Sequence, residues 1–165
     1  MKLKDTPLGT PEEFNVVIEI PKASPVKIEY DEDTDEMFED FVFENGLTFI
    51  SNYGFLPQTK AGDGDTLDVY VLSPNPIASG SVLLCRPIGA MAQLDNGEVD
   101  DKIFSVPVND PVTNSIRDIG DVTEAQRQKF IIFYAEIAKQ KKKTVEITGF
   151  ENKATAIEII KKSII

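Results

Sequence analysis

Three carboxylates fall within six residues in the segment Gly62-Asp63-Gly64-Asp65-Thr66-Leu67-Asp68-Val69. Carboxylates that converge repel one another and raise each other's pKa unless a cation neutralises them. Oxygen donors of this kind suit a hard ion such as magnesium or calcium rather than a soft metal. On a strand or tight loop Asp63 and Asp65 project to the same side, and Asp68 opens the following strand on the face opposite Val69. The spacing excludes an EF-hand loop, which needs Gly at its sixth position and Glu at its twelfth. Counted from Asp63 those places hold Asp68 and Pro74, and counted from Asp31 they hold Glu36 and Val42. A solvated Gly-rich turn has the same composition, so the motif alone leaves that reading open. A second acidic group flanks Asn96-Gly97, with Asp95 before it and Asp100, Asp101 and Lys102 after it. Asn-Gly favours a tight hairpin because both residues tolerate positive φ, and such a turn brings Asp95 near Asp100.

The rest of the composition narrows the chemistry. Histidine is absent and there is one cysteine, Cys85. Ser-His-Asp and Cys-His catalysis are thereby excluded, as are His-ligated metals, a structural zinc site and an internal disulfide. Carboxylates, lysines, tyrosines and hydroxyls remain. A formal net charge of -11 argues against a nucleic-acid partner, but a small anion can still bind if metal ions bridge it to the protein. No apolar run approaches the roughly 20 residues that span a bilayer, and no signal peptide is visible, so no membrane association and a cytoplasmic location are expected.

These residues need a frame. The first 13 residues, broken by Pro7, Gly9 and Pro11, read as a loop or arm. Strands are expected at Val16–Ile20, Lys27–Tyr30, Phe49–Ser51, Asp68–Leu72, Ser81–Arg86, Ala90–Leu94, Lys102–Val106 and Val145–Thr148. The acidic stretch Asp31–Glu36 reads as a solvated hairpin turn before an apolar segment beginning at Met37-Phe38. A helix is expected from Thr123 to Lys141, with Thr123 and Gln126 as a capping box and Phe130, Ile131, Tyr134, Ile137 and Ala138 at helical spacing. A shorter one runs from Asn152 to Lys162, with Ile157 and Ile160 inward. Neither a repeat nor a domain boundary is visible. Short strands followed by two terminal helices point to a mainly β, α+β domain spanning 1–165: a closed or nearly closed barrel with helices packed outside.

With these residues in place the chain resembles the soluble (family I) inorganic pyrophosphatases. Their Asp-x-Asp-x-apolar-Asp signature is matched by Asp63-Gly64-Asp65-Thr66-Leu67-Asp68. The resemblance extends, in order, over Ile18-Glu19-Ile20-Pro21, Pro25-Val26-Lys27-Ile28-Glu29, Asn52-Tyr53-Gly54-Phe55-Leu56-Pro57, Cys85-Arg86-Pro87-Ile88-Gly89, Asp95 to Lys102 and Gly149-Phe150-Glu151-Asn152. It implies an OB-like five-stranded β-barrel with flanking C-terminal helices. It implies hydrolysis of pyrophosphate to two phosphates by a magnesium-activated water, with several Mg2+ ions per site, and a homo-oligomer. By resemblance, Asp63, Asp68, Asp95 and Asp100 hold metal, Glu19 and Glu29 position metal through water, and Asp65 is the general base. Lys27, Tyr53 and Lys102 take phosphate oxygens, and Tyr134 can fill the role of a tyrosine near the end of the family's long helix.

Some family positions differ. Phe41 stands where the family has a phosphate-gripping arginine, and Phe49 where it has a tyrosine. A gapless count back from Gly149 puts Glu136-Ile137 at a Tyr-Lys pair, and Ala135 follows Tyr134. Lys139, Lys141, Lys142 and Lys143 are substitutes within reach, or simply a solvated helix end that complements the dipole. The alternatives are a divergent paralogue with weak activity or another phosphoanhydride substrate, and a non-catalytic metal- or phosphate-binding module on the same barrel.

Overall fold

A computed structural model describes residues 1–165. The strands are β1 (Gly9–Thr10), β2 (Glu13–Ile20), β3 (Val26–Asp31), β4 (Glu36–Val42), β5 (Asn52–Leu56), β6 (Leu67–Val71), β7 (Val82–Asp95), β8 (Glu98–Val99), β9 (Lys102–Pro107) and β10 (Val145–Asn152). The helices are α1 (Glu124–Lys141) and α2 (Lys153–Ser163). Strands β2, β5, β6, β9 and β7 form a ring, because β7 pairs with both β9 and β2. Closure removes the sheet edges and buries both faces of the strands. Val16, Val17, Ile18 and Ile20 are accordingly all fully buried, although a half-solvated strand would expose every second one.

The ring separates two apolar clusters. One lies between the barrel and α1, around Tyr53, Tyr70, Phe104, Phe130 and Phe133. The other lies inside and toward α2, around Phe14, Leu56, Val69, Ile103 and Ile160. Helix α1 begins with the expected capping box, in which Thr123 Oγ1 accepts from Gln126 N and Gln126 Oε1 from Thr123 N. It buries Phe130, Phe133, Tyr134 and Ile137. Ile131, expected inward, is instead on the exposed side, and Phe133 takes the inward place.

Four regions differ from expectation. The strand placed at Phe49–Ser51 lies at Asn52–Leu56, where Gly54 sits so close to β2 that a Cβ would meet Val17 O at 1.9 Å. Only glycine allows that approach. The strands expected at Ser81–Arg86 and Ala90–Leu94 are one 14-residue strand. Its register shifts between Pro87 and Gly89, which absorbs the proline without ending the strand. Residues 1–13 are not a bare loop: Leu3–Asp5 forms a 3-10 turn, β1 pairs with β2, and Leu8 is buried. Strand β10 also continues to Asn152, which then caps α2. The acidic turn between β3 and β4 is a hairpin turn as expected, with Asp35 at φ 59°.

Candidate active site

A cavity of about 770 Å³ opens where the barrel, the β3–β4 hairpin and the end of α1 meet. Every residue to which the resemblance assigns metal, base or phosphate duty lines it. Strands of the ring bring Glu19, Tyr53, Asp68, Asp95 and Lys102. Loops bring Asp63, Asp65 and Asp100, the hairpin brings Lys27 and Glu29, and α1 brings Tyr134.

Lys102 is the centre of the barrel side. Strands β6 and β9 run parallel with Asp68 opposite Lys102, so their side chains leave the sheet together. Lys102 Nζ donates to Asp68 Oδ2 at 2.6 Å, to Asp100 Oδ2 at 3.0 Å and to Tyr53 Oη at 3.0 Å. Burial opposes the ammonium charge, but the carboxylates, Asp68 first, hold its pKa well above the usual lysine value. The same burial raises Asp100, against the pull of Lys102. Since Tyr53 accepts from Lys102, its own proton is free to point into the cavity. Burial lifts the Tyr53 pKa well above 10, so that proton stays on the ring. Tyr134 and Tyr70 share a short hydroxyl–hydroxyl hydrogen bond, and only Tyr134 of the two reaches the cavity.

The loop before β6 is set by its own backbone. Ala61 N donates to Asp65 O at 2.7 Å and Asp65 N to Asp63 Oδ1 at 3.0 Å, closing a tight turn around Gly64. The Asp65 carboxylate makes no hydrogen bond. Partial desolvation, and then the Asp63 charge beside it, raise its pKa. Glu19 is more extreme. It accepts from Tyr30 N at 2.9 Å, but burial raises its pKa to about 8.

The opposite wall is looser. Lys27 Nζ lies 2.6 Å from Glu29 Oε1 and 3.3 Å from Asp40 Oδ2, and Lys143 Nζ lies 2.6 Å from Asp95 Oδ2. Helix α1 ends at Lys141, and Lys142 turns into the left-handed region at φ 52°. That turn sends Lys141 and Lys143 to the cavity and leaves Lys142 exposed, with Lys139 a further exposed position outside it. Phe49 and Ile137 are buried at the cavity's apolar floor, and Phe41 pairs in register with Lys27. Asp40 and Gln93 carry no signal in the sequence, and Asp101 stands out there only as a member of the second acidic group. Asp40 shares Lys27, Gln93 lines the cavity, and Asp101 accepts from Gln93 N at 3.2 Å. Only a paired strand register could have placed Asp40 beside Lys27.

The family model described as inorganic pyrophosphatase matches residues 16–165. This chain belongs to the inorganic pyrophosphatase family. It is 39% identical to an inorganic pyrophosphatase of Aquifex pyrophilus, over 99% of this chain and 96% of that one. It is 41% identical to one from Saccharolobus solfataricus, over 93% of this chain and 91% of that one. The inorganic pyrophosphatase of Thermus thermophilus superposes with a TM-score of 0.93 at 36% identity, covering 99% of this chain and 97% of that one. Membership of the inorganic pyrophosphatase family carries the class of reaction, hydrolysis of a phosphoanhydride, and a divalent metal cofactor. The OB-like barrel agrees with it. No helix is long and apolar enough to cross a membrane.

The donor set fits such a metal. Six carboxylates, those of Glu19, Glu29, Asp63, Asp68, Asp95 and Asp100, face one cavity, and the most buried of them, Glu19, is costly to ionise there without a cation. No three of them close into a ready-made cage. A spread of oxygen donors suits an ion that keeps part of its water shell.

Proposed function

We propose that this chain hydrolyses inorganic pyrophosphate to two phosphates, with magnesium as the divalent ion and Asp65 as general base. The observation that carries the reading is the Asp65 carboxylate, which has no hydrogen bond and faces a cavity lined with lysines and tyrosines. Of the loop cluster, Asp63 accepts from Asp65 N and Asp68 from Lys102, whereas neither oxygen of Asp65 accepts a hydrogen bond. A raised carboxylate pKa brings a base closer to the working pH, which improves it.

Asp63, Asp68, Asp95 and Asp100 would hold the ions, with Glu19 and Glu29 acting through their waters. When bound, magnesium supplies charge neutralisation on the phosphate oxygens and a more acidic water. Spread donors favour magnesium, which keeps several waters, over an ion that demands a full protein cage. The rest belongs to the chain. Asp65 accepts the proton of the attacking water as its oxygen bonds to phosphorus. The bridging P–O bond breaks, and its electron pair leaves on the departing phosphate. Lys27, Lys102, Tyr53 and Tyr134 donate hydrogen bonds to the oxygens on which charge grows. Lys102 already gives one bond each to Asp68, Asp100 and Tyr53, so it engages phosphate by exchanging one of them.

Phosphate release from pyrophosphate, followed with and without magnesium beside Asp65→Asn, tests this. Magnesium-dependent release that the variant loses supports it. Negligible release at every magnesium concentration overturns it. We also place the chain in the cytoplasm, where the lone, buried Cys85 suits a reducing medium. Ile131 and Ile132, exposed side by side on α1, support a homo-oligomer, which light scattering would detect.

A further inference from the structure

The cavity lysines fall into two groups. Lys4, Lys27, Lys102 and Lys143 each hold at least one carboxylate within 4 Å. Lys60 and Lys141 hold none, and of these Lys60 is exposed while Lys141 is half-buried. A half-buried ammonium with no carboxylate within ion-pair distance is a costly arrangement. Burial first, then Lys27 and Lys143, push its pKa below the usual lysine value, and the more distant carboxylates of Asp40 and Glu29 offset only part of that.

The position is nevertheless built. Gln140, its neighbour, clamps the end of α1 to the loop after β4: Gln140 Oε1 accepts from Glu44 N and Gln140 Nε2 donates to Glu44 O, both at 2.9 Å. This reciprocal pair fixes the last helical turn against the hairpin. The Lys141 ammonium then lies 5.6 Å from the centre of the Phe41 ring, within cation–π range. An aromatic face steadies a cation without neutralising it, so the three N–H donors remain available. Two further ammonium groups, Lys27 and Lys143, act on the same point electrostatically. Lys27 and Lys143 are each paired with carboxylates, so Lys141 is the one ammonium of the three whose charge is open to an incoming anion.

We propose that Lys141, seated on Phe41, is a substrate ligand that binds a terminal phosphoryl group of pyrophosphate. The assignment rests on the pyrophosphate reading above and adds a residue to it. Unlike Lys102, Lys141 has no ion pair to break, so its full charge-assisted hydrogen bond goes to the substrate. Phe41 is the positioning residue: it holds the ammonium over the cavity rather than in solvent.

Steady-state hydrolysis and calorimetric binding of imidodiphosphate, whose P–N–P bridge resists the reaction, test the assignment in Lys141→Met, Lys141→Arg and the exposed control Lys139→Met. Loss of a charge-assisted hydrogen bond predicts a fall of roughly ten- to a hundredfold in kcat/KM and in imidodiphosphate affinity for Lys141→Met. Lys141→Arg should recover most of it, and Lys139→Met should stay within about twofold of the parent. Phe41→Leu should show a smaller loss of affinity with the melting temperature held. If Lys141→Met binds and turns over like the parent, or if Lys139→Met falls equally, the assignment is wrong. Should the parent protein fail to release phosphate, the pyrophosphatase reading falls, and imidodiphosphate binding still decides whether Lys141 is a phosphate ligand.

Discussion

The two walls of the cavity are held by different physics. On the barrel wall, Tyr53, Asp68 and Lys102 project from neighbouring strands, and Lys102 is only 4% exposed. On the hairpin and helix wall, Lys27, Glu29, Lys141 and Lys143 are half-exposed and come from a two-stranded sheet and a helix end. Buried charge pairs are costly to break, whereas exposed pairs contribute little. The barrel wall therefore couples the site to stability, and the outer wall couples it to substrate. A chain can change its outer wall without losing its fold, and Phe41 with Lys141 is such a change from the pattern the family resemblance implies.

The largest test of that division is Lys102→Met. It leaves Asp68 and Asp100 without their shared cation, which should cost about 3–5 kcal/mol of stability together with activity. Urea unfolding at neutral pH reads it, and an unchanged midpoint would merge the two walls. Asp65→Asn should separate chemistry from stability. Its exposed, unbonded carboxylate predicts a loss of about 10²–10³-fold in kcat with no shift in melting temperature.

Glu19 gives a pH signature. Its carboxyl holds a proton up to about pH 8 in the folded protein but releases it near 4.5 when unfolded. Between those values the native state binds more protons, so stability falls as pH rises, at up to about 1.4 kcal/mol per pH unit. Denaturation midpoints in chelator from pH 5 to 8 should show the slope, and Glu19→Gln should remove it. Added magnesium should flatten it too, by favouring the ionised form. The smallest effect belongs to the outer wall: Lys27→Met should cost less than about 1 kcal/mol of stability while raising KM. A large drop in its melting temperature would break the comparison from the other side.

How far the sequence could be read follows the same boundary. The Asp63–Asp68 loop, the Asn-Gly turn and the Thr123 capping box are local signals, and each stands where it was expected. What depended on distant partners was displaced. Strand β5 sits three residues later because Gly54 must meet β2, and β7 runs through Pro87 because a register shift accommodates it. Ile131 matched the helical repeat as well as Phe133 does, and only the direction of α1 against the barrel chose between them. The four lysines at the end of α1 look equivalent in sequence. The left-handed turn at Lys142 and the Gln140–Glu44 clamp select Lys141 and Lys143, and neither has a local signature.

The parallel pairing of β6 with β9 has a consequence in time. Parallel neighbours need a long crossover, and here the connection includes the whole of β7. Asp68 and Lys102, 34 positions apart in sequence, therefore meet only after the chain between them has been threaded into place. Contacts so distant along the chain are among the slowest to form. During refolding, helix signal should return first and enzymatic competence last, in step with closure of the ring.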